Sequence, residues 1–280
     1  MQLQIDDVLL DIISVGGLYT CVQLPNYKIA IDMGIAPRSS FNKGHVFFTH
    51  THGDHIAGVV RHCSSRNLMQ LPEPTYIIGK DDAHNFVPFL DAAGKLNRTT
   101  MKYQLISVSP NDRIDIRKGL CVRSYRSIHT TPCQGYIVCE TKSKLRSEYL
   151  GLTGQDIAEL RKAGVDISEE IEIPIVTYTG DTTIDLFKRE PQLQQVKILI
   201  TEVTFWDDSI TPEEAKKRGH IHIEDLVEHA ELFTQPHIVL MHSSSRFSGE
   251  DVRRIAKEKL PKELFNRLHF IPNDLPLEGF

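Results

Sequence analysis

The sequence predicts an α/β protein, on three observations. A short apolar run, Val46-Phe47-Phe48, reads as a buried strand and leads straight into a stretch holding His50, His52, Asp54 and His55. Ahead of it, three stretches at 8–15, 19–24 and 28–32, separated by Gly16-Gly17 and Pro25-Asn26, read as a β-meander. Beyond it, segments of helical spacing interleave with further short strands. With 280 residues, 40% hydrophobic and 25% charged, the chain suits a globular protein with a sizeable core.

In order, residues 56–66 read as a helix and 76–78 as a strand. Residues 81–93 read as a helix capped by Asp81, with Phe86, Phe89 and Leu90 at helical spacing. Strands follow around 103–108, 113–116, 120–127 and 135–141. Alternation of Val122, Ser124 and Arg126 with Arg123 and Tyr125 suits a sheet with one wetter face. Residues 142–173 are the least regular region. Lys142, Lys144, Leu145, Arg146 and Tyr149 form a basic patch, and a helix over 155–163 ends on Arg161 and Lys162, where cations suit the dipole. This region reads either as a solvated excursion or as a phosphate-contacting surface.

Strands at 175–179 and 196–203 end near Asp181 and at Glu202. Thr211-Pro212-Glu213-Glu214 opens a helix as a capping box with Pro just inside. Gly219-His220-Ile221-His222 precedes an amphipathic helix with Leu226, Ala230 and Phe233 on one face, which makes His222 and His229 surface residues. A strand at 237–241 ends at His242. A basic helix runs from Ser248 to Leu260, and a last strand covers 268–271.

The chemistry lies in the histidine stretch. Spacing i, i+2 at a strand end sets His50 and His52 on one side of the chain. Gly53 lets the backbone turn before Asp54 and His55. Two imidazoles then face one metal while the Asp-His pair faces another.

His-x-His-x-Asp-His over 50–55, after a buried strand and before Ile56-Ala57-Gly58-Val59, resembles the signature of the metallo-β-lactamase superfamily. That resemblance implies a four-layer αβ/βα sandwich, a single domain over residues 1–280 with 142–173 as a short inserted arm, and a dinuclear site at one edge. It requires a late His, an Asp and another His, for which His129, Asp181 and His242 stand in the expected order. His50, His52 and His129 make one site; Asp54, His55 and His242 make the second; Asp181 bridges them. Such nitrogen and oxygen donors fit two Zn²⁺ per chain, and Mn²⁺ or Fe²⁺ fit as well. Asp32, in Asp32-Met33-Gly34, is similar to the family corner that supports the metal loop, and equally reads as a turn residue.

Further motifs narrow the resemblance to tRNase Z, the nuclease family that trims tRNA precursors at the 3′ end. Thr201-Glu202-Val-Thr-Phe205 is similar to its Glu-(Ala/Ser)-Thr-Phe stretch, and Gly219-His220 to its Gly-His-Ser-Thr loop. His242-Ser-Ser-Ser-Arg246-Phe247 is similar to its His-Phe-Ser-x-Arg-Tyr motif, and 142–171, with Glu148-Tyr-Leu-Gly-Leu-Thr-Gly154, to the short eukaryotic form. The similarity runs from about residue 12 to residue 247. It implies a zinc-dependent endoribonuclease in which a metal-held hydroxide attacks the phosphodiester and the tRNA keeps a 3′-OH. Asp54 handles the water, His220 oriented by Glu202 protonates the leaving oxygen, and Arg246 holds a phosphate. It also implies a homodimer acting on precursor tRNA.

Three departures stand out. No Gly- and Pro-rich arm tip lies between His129 and Asp181, Ile-His replaces Ser-Thr after Gly219-His220, and Val203 replaces a small residue. Rival readings are a hydrolase of small substrates, of the glyoxalase II or phosphodiesterase kind, and a non-enzymatic RNA-binding scaffold, against which the intact ligand set argues. No apolar run reaches the roughly 20 residues of a membrane span. Residues 1–20 lack the pattern of a signal peptide. Five cysteines without a CxxC pair read as reduced thiols in a cytoplasmic protein. A net charge of −5 leaves room for a local basic patch.

Overall fold

A computed structural model describes residues 1–273. The first half of the chain builds one seven-stranded sheet in sequence order: β1 (Gln2–Ile5), β2 (Val8–Val15), β3 (Tyr19–Leu24), β4 (Ile29–Ile31), β5 (His45–Phe47), β6 (Thr75–Gly79) and β7 (Gln104–Val108). Tight turns join β1 to β4 antiparallel. From β4 on the strands are parallel, which requires longer crossovers. Those crossovers carry α1 (Gly53–Ile56), α2 (Val59–Leu68) and α3 (Lys80–Leu96).

The second half repeats the plan. β8 (Arg113–Arg117), β9 (Leu120–Arg126), β10 (Gln134–Leu145) and β11 (Ser168–Tyr178) are antiparallel. β12 (Ile198–Glu202), β13 (His237–Met241) and β14 (Leu268–Phe270) continue the sheet in parallel. In chain order the helices are α4 (Gly154–Lys162), between β10 and β11, then α5 (Asp185–Arg189), α6 (Pro212–Lys217), α7 (Ile223–Glu228), α8 (Gly249–Lys259) and α9 (Lys262–Phe265).

Burial sorts the core into three layers. The central one joins side chains of both sheets, Ile12, Val22 and Phe47 with Val138, Tyr178 and Val239. A second lies between β4–β6 and helices α2 and α3, through Val46, Tyr76, Cys63 and Phe86. A third lies between β12–β14 and helices α7 to α9, through Leu199, Leu226, Ile255 and Leu264. Helix, sheet, sheet, helix is thus the order of layers, the αβ/βα sandwich expected. Tyr136 locks the sheets together: its ring meets Phe47 edge-on at 5.0 Å and its hydroxyl donates to Phe48 O at 2.8 Å. Phe48 is two residues before His50, so this contact braces the histidine stretch.

Several local expectations need correction. β1 was not foreseen; its alternation is too short and polar to stand out. The helix expected over 56–66 is two helices, broken at Ala57-Gly58, because Gly58 packs against another backbone: a Cβ there would stand 2.7 Å from Ala36 N. Asp81 lies inside α3, whose N-cap is Gly79 without a side-chain bond, and Pro88 is accommodated within that helix. β9 has no wet face. Tyr125 is buried, because Gly135 opposite leaves space for its ring. The long amphipathic helix after His222 is only α7 followed by a 3-10 turn at Ala230–Leu232.

Residues 142–173 are more regular than expected. β10 and β11 pair out to Leu145 and Ser168 and carry α4 at their tip, started by a capping box between Thr153 and Asp156. No residue of α4 is buried. The segment holds five basic and seven acidic side chains. Arg146 is paired with Asp166 at 2.5 Å, so the basic patch read from 142–149 sits within an acidic whole. Among the described residues no helix is long and apolar enough to cross a membrane, and all five cysteines are free and buried.

Candidate metal centre

The ends of five strands deliver the site. β5 leads to His50 and His52, β9 to His129, β11 to Asp181, β12 to Glu202 and β13 to His242. Asp54 and His55 lie in α1, directly after the β5 stretch. Asp32 and His242 hold left-handed backbone at φ 60° and 61°, where non-glycine residues are strained and the surrounding structure must impose the conformation.

The seven residues named from sequence as ligands converge. Donor atoms of His50, His52, His129 and Asp181 lie within 4.8 Å of one another, as do those of Asp54, His55 and His242. Asp181 reaches both groups. Its Oδ2 stands 3.8 Å from His50 Nε2, and its Oδ1 is 3.4 Å from His55 Nε2 and 3.5 Å from His242 Nε2.

The far nitrogen of four rings is fixed by an acceptor. His55 Nδ1 donates to the Asp32 carboxylate at 2.7 Å, and His129 Nδ1 to Gly219 O at 2.9 Å. Thr49 donates its hydroxyl proton to Asp32 and so accepts from His50 Nδ1 at 3.0 Å. Thr204 donates to Glu202 and so accepts from His242 Nδ1 at 3.2 Å. Each of these imidazoles therefore turns an Nε2 lone pair towards the cluster, the tautomer a metal ligand needs. Gly219 must be glycine: its φ is +78° and a Cβ would lie 2.5 Å from His129 Nδ1.

The structure fits cations in two ways. Among the described residues, His50 Nε2 and Asp181 Oδ1 are buried without a hydrogen-bond partner, a costly state unless something binds them. Around the Asp54 group, His55 Nε2 and His242 Nε2 are 3.3 Å apart, and Asp54 Oδ2 is 3.6 and 3.3 Å from them. With the two Asp181 distances, these match the edges of a tetrahedron about an ion bound at roughly 2.0–2.1 Å, which are about 3.3–3.4 Å.

Electrostatics agree. Burial opposes ionisation of Asp54 and Asp181, but the facing histidines outweigh it and hold both carboxyls below their usual range. Burial and His55 push His50 well below an ordinary imidazole. Burial likewise opposes charge on His55, yet Asp181 and Asp32 on either side raise it well above the ordinary value. A cation would answer that same pull.

Beside the cluster stands a second device. His220 Nδ1 lies 2.8 Å from Glu202 Oε1, so it carries a proton and leaves Nε2 free. Burial disfavours the imidazolium, but Glu202 overrides this and lifts His220 to about 9. Glu202 is itself held by Thr182 N at 2.9 Å and by the Thr204 hydroxyl. The His220 ring stacks 5.7 Å from His242 and comes within 3.9 Å of Asp181.

Arg246 is engaged elsewhere: it donates to Ser209 at 2.9 Å and stands 4.0 Å from Asp207. His222 is not a surface residue. It is 1% exposed, caps α7 and bonds Asp207 O at 3.0 Å, so its environment is set by the 205–222 loop rather than by the helix face. Sequence reasoning did not single out Thr49, Thr204 or Cys133. Thr204 is the joint between Glu202, His220 and His242, while Cys133 Sγ sits 3.4 Å from Asp181 O. Thr204 fell inside a quoted motif, which was the available signal.

No family model matches the chain. It is 35% identical to tRNase Z TRZ1 of Arabidopsis thaliana over 268 residues, 95% of each chain. The chain belongs to the tRNase Z family. The chloroplastic tRNase Z TRZ2 of the same plant is 33% identical, over 86% of this chain and 69% of that one. Among solved structures, the short form of human tRNase Z superposes with a TM-score of 0.59 at 15% identity, covering 95% of this chain and 97% of that one. The Bacillus subtilis metallo-β-lactamase fold protein YhfI superposes at 0.64, also at 15% identity and with the same coverage of each chain. These two likenesses bear out the sandwich.

Proposed function

We propose that this tRNase Z family chain is an endoribonuclease that removes 3′ trailers from tRNA precursors and leaves a 3′-OH on the tRNA. The observation that carries this is a poised acid, His220 on Glu202, set beside a cage of seven donors at the end of the strands. A small-ester hydrolase has less need of such an acid than a nuclease does, because a ribose 3′-oxygen leaves only with a proton. Two Zn²⁺ are the proposed ions, held by His50, His52 and His129 on one side and Asp54, His55 and His242 on the other, with Asp181 between. When bound, such ions make a nucleophile available near neutral pH and neutralise charge on phosphate oxygens.

The chain's own groups do the rest. Asp54 Oδ2, fixed by Gly17 N at 2.9 Å, orients the attacking water and takes its proton. His220 delivers its Nε2 proton to the departing 3′-oxygen, and Glu202 keeps the ring in the orientation that transfer needs. Asp32 and Thr49 hold the histidine stretch rigid. Arg246, exposed on Phe247, meets a flanking phosphate once RNA displaces its tie to Ser209. The chain acts as one domain, residues 142–173 form an arm on its surface, and the active form is a cytoplasmic homodimer.

The test is incubation of the protein with precursor tRNA and Zn²⁺ or Mn²⁺, mapping the cut to the nucleotide. A single cut at the trailer junction leaving a 3′-OH is expected. Turnover of small phosphodiesters with no cleavage of precursor would sink the reading.

A further inference from the structure

A cavity of about 430 Å³ opens at the opposite end of the strands from the donor cluster. β5 measures the separation: His45, at its start, lines the cavity, and His50 lies five residues on, roughly 16 Å along extended chain.

Its wall holds a guanidinium with no counter-charge among the described residues. Arg66 is 4% exposed, and it donates to the carbonyls of Phe41, Lys43 and Pro72. Its Nε has no partner. Carbonyl dipoles take three hydrogen bonds from its terminal nitrogens without cancelling its charge, and charged side chains this buried are normally paired. Lys28 and Arg117, both exposed, line the same cavity and make no ion pair among the described residues; Glu73 is the acid facing them. Tyr27, Leu71 and Ile116 supply apolar surface alongside. Three cations with an aromatic and aliphatic wall, in a volume of ligand size, suit an amphipathic anion.

We propose that this cavity binds a nucleotide, its phosphate on Arg66, Lys28 and Arg117 and its base against Tyr27, Leu71 and Ile116. The nucleotide is free or is one unit of an RNA strand; the recognised chemistry is the same. The site takes no part in the cut, so it stands or falls apart from the nuclease reading.

Photolabelling tests it. The metal-loaded full chain is irradiated with 8-azidoadenosine monophosphate and digested, and the label is mapped by mass spectrometry. Label is expected on peptides containing Tyr27, Leu71 or Ile116, competed by AMP and by inorganic phosphate. The double substitution Lys28→Ala and Arg117→Ala should weaken that labelling about tenfold or more, since each lost contact to a charged group is worth about a factor of ten. Gly44→Leu should abolish it. Gly44 lines the cavity outside the left-handed region, and its Cβ would meet nothing closer than Arg66 Nη2 at 4.0 Å, so a side chain starts there without backbone strain and is expected to occupy the space. A short oligoribonucleotide competing better than AMP identifies RNA as the source; equal or weaker competition identifies the free nucleotide. Label absent, confined to peptides of the metal centre, or undiminished in both variants overturns the proposal.

Discussion

The two long strands β10 and β11 have unlike ends. At one end, Tyr136 and Tyr178 are buried, and the chain continues from β11 to Asp181 in the donor cluster. At the other, Leu145 and Ser168 lead to α4, in which nothing is buried. The buried end is built for position: Asp32 is tied to Thr49, Glu202 to Thr182 and His220 to Glu202, each within about 3 Å. The exposed end has the opposite virtues, reach and adaptability. One pair of strands thus joins a rigid chemical end to a compliant surface end, and substitutions at the two ends should fail differently.

The largest effect is expected from Asp54→Ala, which should lower cleavage at least about 10³-fold while precursor binding, measured by gel shift, stays near wild type. Cleavage at close to the normal rate would remove Asp54 from the handling of water. His220→Ala should slow cleavage by about 10²–10³ with metal content unchanged by elemental analysis; loss of metal would make His220 a ligand instead. At the other end, Lys142→Ala with Lys144→Ala should raise KM several-fold at low salt and leave kcat alone, because phosphate contacts bind without reacting. An unchanged KM would show the arm to be a solvated excursion, as its acidic balance favours. The smallest effect is expected for Thr153→Ala, which removes the α4 capping box at about 1 kcal/mol. Hydrogen exchange should quicken in 154–162 only, with cleavage of an unstructured phosphodiester unaffected.

The same contrast explains what was legible in the sequence. His50 to His55 could be read because its chemistry is local, and His129, Asp181 and His242 could be read because each stands near a strand end in the order the resemblance requires. The groups that aim those ligands were hidden. Thr49, Thr204 and the Gly219 carbonyl act through contacts between strands distant in sequence, and neither a threonine nor a carbonyl advertises that role. In the arm the failure was of another kind. Lys142 to Leu145 and Ser168 to Glu172 are too charged to look like strands, yet pairing with each other holds them extended. Helix ends were misplaced where close packing decided them, of Gly58 against backbone and of Gly79 against the Gln134 side chain.

Four histidines are gripped by their outer nitrogen, by Asp32, Thr49, Thr204 and Gly219. Those tethers are made by the protein itself, so the aim of the four rings is set by the fold, and a chelated chain is expected to take metal back without a refolding step.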